Sequence, residues 1–558
     1  MGGLPEKNSA GSGTAKGGGA SLLAAANLLM LSTIASRILG YLRDVLIFAK
    51  FGQNNLTDAY NAAFSIPDFL YMILVGGALS SAFIPVFSSY LARNQEEEGW
   101  RVLSIIFNWI MVLLTIGVVL GVALAPQLVD WLGPGFDGYT KTLTINLTRI
   151  MFVQVIFMCL SGISTGILQS YKEFTAPAVG SVLYNLGIIL GGLLLAAPIE
   201  HYFPGYGIAG FSVGVVLGAI MNFLVQFIKL WQMGMHYTFS FNLRHPGVQE
   251  LLALILPVFI GLGASQFNLF VNQNLASELS AGLVSALRAA QRLMQLPITL
   301  FGITVGIAFF PTMTQLAARE QWDNFKATLI MGVRTVIFVT IPASFGLAAL
   351  SEPVIRFMYE FKSGAFTAED TKQTAYALVF YTIGIFAYAA IHTLSRAFYA
   401  LKDTRKPVAV AVLSIAVNVV LSIILVRYMA QGGLALAYSV AGIFNMVVLI
   451  VLLNWQIGDI GSWALLKSTA QTTLISLVMG AVVWLLAHFW QLYLPISSKL
   501  AQLAEILLVT GLGIGLFMFL AMLWHMPEAE QLLGILRRKF RPRSTLPSAN
   551  SDEKTTEK

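Results

Sequence analysis

The sequence predicts an all-α polytopic membrane protein with about fourteen transmembrane helices, and three observations support this fold class. First, 57% of the 558 residues are hydrophobic and only 11% are charged, which is too apolar a composition for a soluble protein of this size. Second, apolar runs of twenty residues or more recur along the chain, each long enough to cross about 30 Å of hydrocarbon as a helix. Third, the chain lacks the ten-residue segments of alternating polarity that are typical of a transmembrane β-barrel.

Taken in order, the apolar runs define fourteen predicted spans, separated by short polar, glycine-containing or proline-containing stretches. Their limits are 22–51, 59–91, 101–125, 145–170, 174–197, 206–231, 249–276, 283–317, 325–350, 375–401, 407–428, 433–455, 467–490 and 500–525. The first twenty residues are rich in glycine and serine and predict a disordered tail. A cleaved signal peptide is the competing interpretation, but the first apolar run continues into Arg37 and Arg43 without a small-residue cleavage site.

An internal duplication divides the spans into two six-helix halves. Three patterns recur in the same order 226 to 230 residues later: G-x5-AF-x-P at 76–85 and 302–311, SR-x5-RD at 36–44 echoed by SQ-x5-NQ at 265–273, and KE-x3-P at 172–177 returning as KD-x3-P at 402–407. An even number of spans separates the repeats, so the halves are predicted to lie parallel, with a substrate site at their interface. The predicted parts are a tail at 1–20, an N-terminal lobe at 21–236, a C-terminal lobe at 247–456, a helix pair at 464–526 and a basic then polar tail at 527–558.

The distribution of charge predicts the orientation of the chain. Eleven lysines and arginines fall in loops on the side of the N-terminus and six on the other side, so both termini are expected in the cytoplasm. The net charge of +7 is concentrated in such loops and in the run Arg537–Arg543, and is read as an orientation signal rather than as a nucleic-acid site. The single cysteine, Cys159, excludes an internal disulfide, and no metal-binding or nucleotide-binding motif is present in the sequence.

Charged residues inside the predicted spans carry the strongest functional signal. Arg37, Arg43 and Asp44 lie within 22–51, and a charge at the bilayer centre costs roughly 2.5–3.5 kcal/mol when it faces lipid. These side chains are therefore expected to face protein, water or an anion. The guanidinium fork suits bidentate binding of phosphate oxygens. We predict a cavity in which Arg37, Arg43 and Arg292 bind a phosphate or pyrophosphate anion.

The other candidate site residues each have two interpretations. Asp44 and Asp58 orient the arginines or compete with the anion; alternatively, Asp44 forms a buried ion pair, and Asp58 is a helix N-terminal charge. Arg288 contributes to substrate binding or snorkels to an interface. Pro67 and the Gly76-Gly77 pair predict a hinge in a cavity-lining helix, the alternative being a packing role.

A group of short motifs is concentrated in the first hundred residues and continues in the second half: Ser36-Arg37-x-Leu39-Gly40-x2-Arg43-Asp44, Phe51-Gly52, Thr57-Asp58-Ala59, Phe64-x-Ile66-Pro67, Gly77-Ala78-x3-Ala82-Phe83-x-Pro85, Arg292-Leu293-Met294-x2-Pro297 and Phe309-x-Pro311. Together they resemble the signature of the MurJ/MviN lipid II flippase family. The resemblance implies the MOP exporter fold, with two lobes and a C-terminal helix pair that forms a lipid-facing groove, alternating between inward-open and outward-open states.

The resemblance also implies the cargo and the site. The cargo would be the undecaprenyl-pyrophosphate-linked peptidoglycan precursor lipid II, moved from the cytoplasmic to the outer leaflet of the bacterial plasma membrane without covalent chemistry. The essential cavity arginines of the family correspond to Arg37, Arg43 and Arg292, and its acidic cavity residue corresponds to Asp58. Many members carry an arginine on helix 2 where this chain has Tyr71, after Pro67.

Several alternatives stay open at the level of sequence. A multidrug/cation antiporter of the same fold, a flippase for another lipid-linked oligosaccharide, and a non-transporting scaffold are the competing functions. The three arginines argue against a cation substrate. No cofactor is predicted, and the driving force is either the membrane potential or a monovalent cation. Predicted partners are the glycolipid, membrane lipid and cell-wall synthesis proteins, with no nucleic acid.

Overall fold

The computed structural model describes residues 15–73, 80–361, 364–493, 498–530 and 534, and it describes the backbone alone for 15–30, 73, 80–85 and 252–267. Within these residues every regular element is helical, which confirms the predicted all-α class. The predicted hinge glycines Gly76 and Gly77 lie outside the described residues, as does the basic run Arg537–Arg543.

The described helices are numbered in chain order, with one π-helix at Ile298–Ile303 between α10 and α11. They are α1 Ala15–Phe51, α2 Asn55–Ile73, α3 Ser80–Ala92, α4 Glu96–Ala123, α5 Ala125–Leu132, α6 Gly138–Ser170, α7 Thr175–Tyr202, α8 Ala209–Gln232, α9 Pro246–Ser277, α10 Leu283–Pro297, α11 Thr304–Ala318, α12 Trp322–Ala349, α13 Ser351–Tyr359, α14 Ala368–Thr382, α15 Ile385–Ala400, α16 Arg405–Ile457, α17 Ser462–Tyr493 and α18 Lys499–Leu523.

Among the described residues, nine helical segments are long and apolar enough to cross a membrane, and a tenth results if α14 and α15, bent by 42°, form one span. In this count α16 is a single span. Its backbone is nevertheless interrupted at Ala430, where φ is 47° and ψ is −127°, between the predicted spans 407–428 and 433–455. The chain is a multi-pass membrane protein, and the predicted number of fourteen spans stays a prediction.

The chain forms two compact units. The first comprises residues 1–296, 351–384 and 404–448, and the second comprises 297–350, 385–403 and 449–558. This division does not test the predicted lobe boundaries at 236 and 456, which stay a prediction.

In the first unit, α7 and α8 pack backbone to backbone through two pairs of small residues. A Cβ added at Gly187 or Gly191 would overlap the backbone of Gly218 or Gly214 respectively. The glycines are four residues apart on each helix, so they form one stripe per helix that allows close approach. The adjacent core joins these helices to α1, α2 and α6 through buried residues such as Phe211.

In the second unit, α12 lies against α17 and α18. Phe338 on α12 and Phe517 on α18 are both buried, with ring centroids 5.1 Å apart. After α18, Glu528 returns to this group and accepts hydrogen bonds from Arg334 Nε at 2.7 Å and Ser468 Oγ at 2.8 Å. Its side chain is 6% exposed, and both hydrogen bonds go to Oε1, while Oε2 is buried without a hydrogen-bond partner among the described residues.

Candidate functional site

The centre of the site is a carboxylate shared by two arginines. On α1, Arg43 donates through Nε to Asp44 Oδ1 at 3.1 Å, and its Nη2 lies 3.0 Å from the same oxygen. From α10, the Nη1 of Arg292 pairs with Asp44 Oδ2. We call Arg43, Asp44 and Arg292 the Asp44 cluster. Two cations therefore share one anion, and the cluster carries one net positive charge.

The exposure of these side chains differs in a way that bears on binding. Arg43 and Asp44 are 13% and 14% exposed, whereas Arg292 is 41% exposed, so Arg292 is the side chain of the cluster most accessible to solvent. Tyr41, one turn before Asp44, donates from Oη to the backbone oxygen of Arg292 at 3.4 Å. Charged groups that are not fully buried keep part of their hydration, which lowers the cost of exchanging one anionic partner for another.

Arg37 adds positive charge to the same face of α1. It is exposed, and it precedes Tyr41 by one helical turn and Asp44 by two, so the three share a face. Arg37 and Arg292 both interact electrostatically with Tyr41. Within the described residues Arg37 forms no ion pair or side-chain hydrogen bond. Among the described residues, therefore, no carboxylate pairs with the Arg37 guanidinium.

Asp58 holds the start of α10 rather than one of the arginines. Its carboxylate accepts hydrogen bonds from the backbone N–H of Gly282 at 2.6 Å, the N–H of Ser285 at 2.8 Å and the Ser285 hydroxyl at 2.6 Å. The side chain is 3% exposed. Gly282 has φ +91°, a left-handed conformation that favours glycine. This arrangement is a helix N-cap supplied from another helix, and it fixes the position of α10 and so of Arg292.

Arg288 lies one turn after Ser285 and points into a neutral network. It donates to Ser65 Oγ and, at 3.0 Å, to Gln273 Oε1. Asn61, one turn before Ser65 on α2, donates to Ser285 Oγ at 3.0 Å. Arg288 thus connects α2, α9 and α10 through hydroxyl and amide oxygens, and Asp68 and Asp58 lie within its electrostatic range. Its part in substrate binding stays a prediction.

Polar side chains near the end of α9 form a neutral cluster with side chains of α16. Asn272 donates to Asn418 Oδ1 and accepts from Ser422 Oγ, both at 3.0 Å, and it also donates to Asn268 Oδ1 at 3.1 Å. Asn418 and Ser422 are buried on α16. We call Asn268, Asn272, Asn418 and Ser422 the amide cluster. The bonds of Asn272 to Asn418 and Ser422 join α9 to α16, as is common for isolated amides in transmembrane bundles, whereas its bond to Asn268 lies within α9.

Of the predicted hinge residues, Pro67 is buried inside α2. Sequence reasoning missed the π-helix Ile298–Ile303, which directly follows Pro297. It also missed Arg396, which donates to the carbonyl oxygen of Ile303 at 3.0 Å. The signal was present, since Arg396 is an arginine within the predicted span 375–401. A π-helix leaves carbonyl groups out of the regular ladder, and Arg396 satisfies one of them.

The part of the chain that the structure describes contains no group of three or more histidine, cysteine, aspartate or glutamate side chains arranged to hold a metal ion. The arrangement instead offers guanidinium groups on a shared carboxylate, which bind oxyanions without a metal. The absence of a cofactor stays a prediction.

A multi-pass helical fold with arginines on a partly buried carboxylate is typical of a membrane transporter for an anionic substrate. The family model described as "Lipid II flippase MurJ" matches residues 47–504. The chain therefore belongs to the lipid II flippase MurJ family, and the resemblance predicted from the sequence is confirmed.

Curated relatives match over nearly their whole length. A probable lipid II flippase MurJ of Rhizobium tropici is 31% identical, with 93% of this chain and 97% of that protein covered. A probable lipid II flippase MurJ of Vibrio cholerae is also 31% identical, over 90% of this chain and 95% of that protein.

Solved structures show the same fold. A lipid II flippase MurJ in an inward closed conformation has a TM-score of 0.74 at 29% identity, covering 91% of this chain and 99% of that one. An inward-facing multidrug resistance MATE family transporter of the MOP superfamily has a TM-score of 0.63 at 14% identity, covering 77% and 96%. The second likeness concerns the fold alone.

Proposed function

We propose that this protein is a flippase that moves lipid II, an undecaprenyl-pyrophosphate-linked peptidoglycan precursor, from the cytoplasmic to the outer leaflet of the plasma membrane. The observation that carries the proposal is the Asp44 cluster, two guanidinium groups on one carboxylate, in a member of the lipid II flippase MurJ family. The process needs no bond to be made or broken, so the protein acts as a transporter and not as an enzyme.

Binding of the pyrophosphate follows from charge. The cluster has one net positive charge, and Arg37 adds a second on the same face of α1. A pyrophosphate competes with Asp44 for Arg292, the more exposed of the two clustered arginines, and bidentate contacts with phosphate oxygens replace the contact with the carboxylate. When the anion leaves, Asp44 takes Arg292 back, which lowers the cost of release.

Translocation is proposed to follow alternating access. Binding stabilises the closed arrangement of the two predicted lobes, while the polyprenyl chain stays in the membrane along α17 and α18. The hinges are proposed at Pro67 to Gly77 and, in the second half, at the π-helix Ile298–Ile303, because π-helices mark positions where a helix changes its hydrogen-bond register.

Both termini are proposed to lie in the cytoplasm, from the excess of basic residues in the loops on that side. The membrane potential is one candidate driving force, since it supplies about 2.3 kcal/mol per charge per 100 mV. A monovalent cation is the other. Cell-wall synthesis proteins are proposed as neighbours in the membrane, because they supply and consume the translocated precursor.

The test is a liposome assay with the full-length chain and fluorescent lipid II, in which a membrane-impermeant reductant bleaches only the outer-leaflet label. Wild-type protein is expected to expose the inner-leaflet label to the reductant. Arg37→Gln is expected to reduce the translocation rate about tenfold, because one charge-assisted contact with the substrate is lost. Arg319→Gln is the matched control, because Arg319 is exposed at the end of α11.

The same assay with a labelled undecaprenyl-pyrophosphate glycan that lacks the peptide tests the substrate range. Equal rates for both lipids would mean that the proposed substrate is the wider class of lipid-linked glycans and not lipid II in particular. No translocation of either lipid by wild-type protein, together with cation efflux that tolerates Arg37→Gln, would reject the flippase in favour of a cation antiporter.

A further inference from the structure

The segment between α8 and α9 leaves the helical pattern and lies along α4. Residues 235–242 have no regular secondary structure. Thr238 donates its backbone N–H to Ser104 Oγ at 3.1 Å. The segment then returns to the start of α4, where His245 Nε2 lies 2.7 Å from Glu98 Oε1. The segment therefore forms a loop that runs along α4 and back, which we call the α4 loop.

The tip of the α4 loop reaches well past the charged end of α4. Trp109 donates from Nε1 to the carbonyl oxygen of Phe241 at 3.1 Å. Trp109 lies eleven residues after Glu98, about 16 Å along a helix axis, and eight residues after Arg101, about 12 Å. Since Arg101 is the last charged residue of α4, the tip lies beside the apolar part of the helix. Leu113, one turn further, is 63% exposed and belongs to a surface suited to lipid.

Polar side chains of α4 satisfy the backbone of the loop at this level. Asn108 is 5% exposed, donates to the carbonyl oxygen of Ser240 at 2.9 Å and accepts from Tyr237 Oη at 2.7 Å. With Ser104 and Trp109, three successive contacts hold three backbone groups of an irregular segment. Hydrocarbon provides no water for such groups, so an irregular segment at membrane depth is stable only when protein side chains supply the partners.

The outward side of the α4 loop is aromatic. Phe239 is 79% exposed, and it stacks edge to face on Phe241 with ring centroids 5.2 Å apart. Tyr237 and Leu243 are 48% and 41% exposed. A contiguous exposed apolar patch beside a membrane-spanning helix is costly in water and favourable at the boundary of headgroups and acyl chains.

We infer that the α4 loop is inserted into the lipid leaflet at the N-terminal end of α4, with Phe239 at the level of the upper acyl chains. In the predicted orientation this is the cytoplasmic leaflet. The loop anchors the link between α8 and α9 to the membrane, and the occupant of its aromatic face is bilayer lipid. The inference is independent of the transported substrate.

The experiment places a nitroxide label at position 239 of the full-length chain in liposomes and measures its collision rates with oxygen and with a water-soluble nickel complex. Cys159, which is buried, is replaced by alanine so that Phe239→Cys provides the single labelling site. Glu97→Cys, exposed in the first turn of α4, is the control in water, and Leu113→Cys is the control in hydrocarbon.

The oxygen-to-nickel ratio at position 239 is expected to lie within about twofold of that at 113 and severalfold above that at 97, because oxygen partitions into acyl chains. Asn108→Ala is expected to lower the ratio by releasing the loop, whereas Thr115→Ala, which removes a hydroxyl bonded only within α4, leaves it unchanged. A ratio equal to that at 97 means exposure to water, and shielding from both reagents means coverage by protein; either result overturns the inference.

Discussion

The pair Arg43-Asp44 on α1 and the pair Asn272-Gln273 on α9 occupy related positions in the internal repeat, 229 residues apart, but make different contacts. Asp44 is shared by Arg43 and Arg292, which leaves a net charge. Asn272 bonds to neutral side chains of α16, and Gln273 accepts from Arg288.

The two positions differ in the net charge that they present to an anion. The amide cluster is neutral and bonds α9 to α16, as amides commonly do between transmembrane helices, although Asn418 Nδ2 is buried without a hydrogen-bond partner among the described residues. Two guanidinium groups on one carboxylate leave one net positive charge, which no other ion pair among the described residues neutralises. The comparison therefore supports the proposal that the Asp44 cluster binds the substrate, and it favours a structural role for the amide cluster.

The largest effect is expected for Arg292→Ala. Charge-assisted hydrogen bonds are worth about 1.5–3 kcal/mol, so the rate of lipid II translocation in liposomes should fall about tenfold to a hundredfold. Arg292→Lys keeps the charge but loses the fork and should recover part of the rate. A rate within twofold of wild type for Arg292→Ala would remove the Asp44 cluster from the mechanism.

Asp44→Asn tests whether the carboxylate competes with the substrate. Its loss leaves Arg43 and Arg292 without an anionic partner, so the free energy of unfolding should fall by about 1–3 kcal/mol. Affinity for inorganic pyrophosphate, measured by calorimetry in detergent, should rise severalfold because the competing charge is removed. A lower affinity would mean instead that Asp44 orients the arginines for the ligand.

Asp58→Ala removes the cap of α10. The free energy of unfolding in mixed micelles should fall by about 1–2 kcal/mol, as for other N-caps, and Asp58→Asn should restore part of it because the amide oxygen still accepts. Translocation should decline in parallel with stability. Unchanged stability together with a complete loss of translocation would show that Asp58 contacts the substrate directly.

The smallest effect is expected for Asn272→Ala. An interhelical hydrogen bond in a membrane protein contributes about 0.6 kcal/mol, so stability should fall by that order and the translocation rate should stay within about threefold of wild type. A double-mutant cycle with Ser422→Ala should show coupling, since the two side chains share a hydrogen bond. A loss of rate as large as that of Arg292→Ala would contradict the assignment of roles to the two clusters.

Local patterns were sufficient for much of the site. The cost of a charge in lipid identified Arg37, Arg43 and Asp44 as residues that must face something polar, and Arg43 and Asp44 pair with each other. The same rule would have identified Arg396, had it been applied to the span 375–401. Nothing local indicated that Asp58 caps a helix more than 220 residues away, because a cap in trans depends on how α2 and α10 pack.

The sequence by itself determined the helical membrane class, the family and the internal repeat, because each depends on the order and spacing of side chains along the chain. Only the tertiary structure decided which partners those side chains take. Arg292 pairs with Asp44, Arg288 donates to Ser65 and Gln273, and side chains of α4 bond to the backbone of the loop at 235–242. The physical reason is that an ion pair or hydrogen bond forms only over about 3 Å. Residues hundreds of positions apart reach that distance only when the helices that carry them pack together.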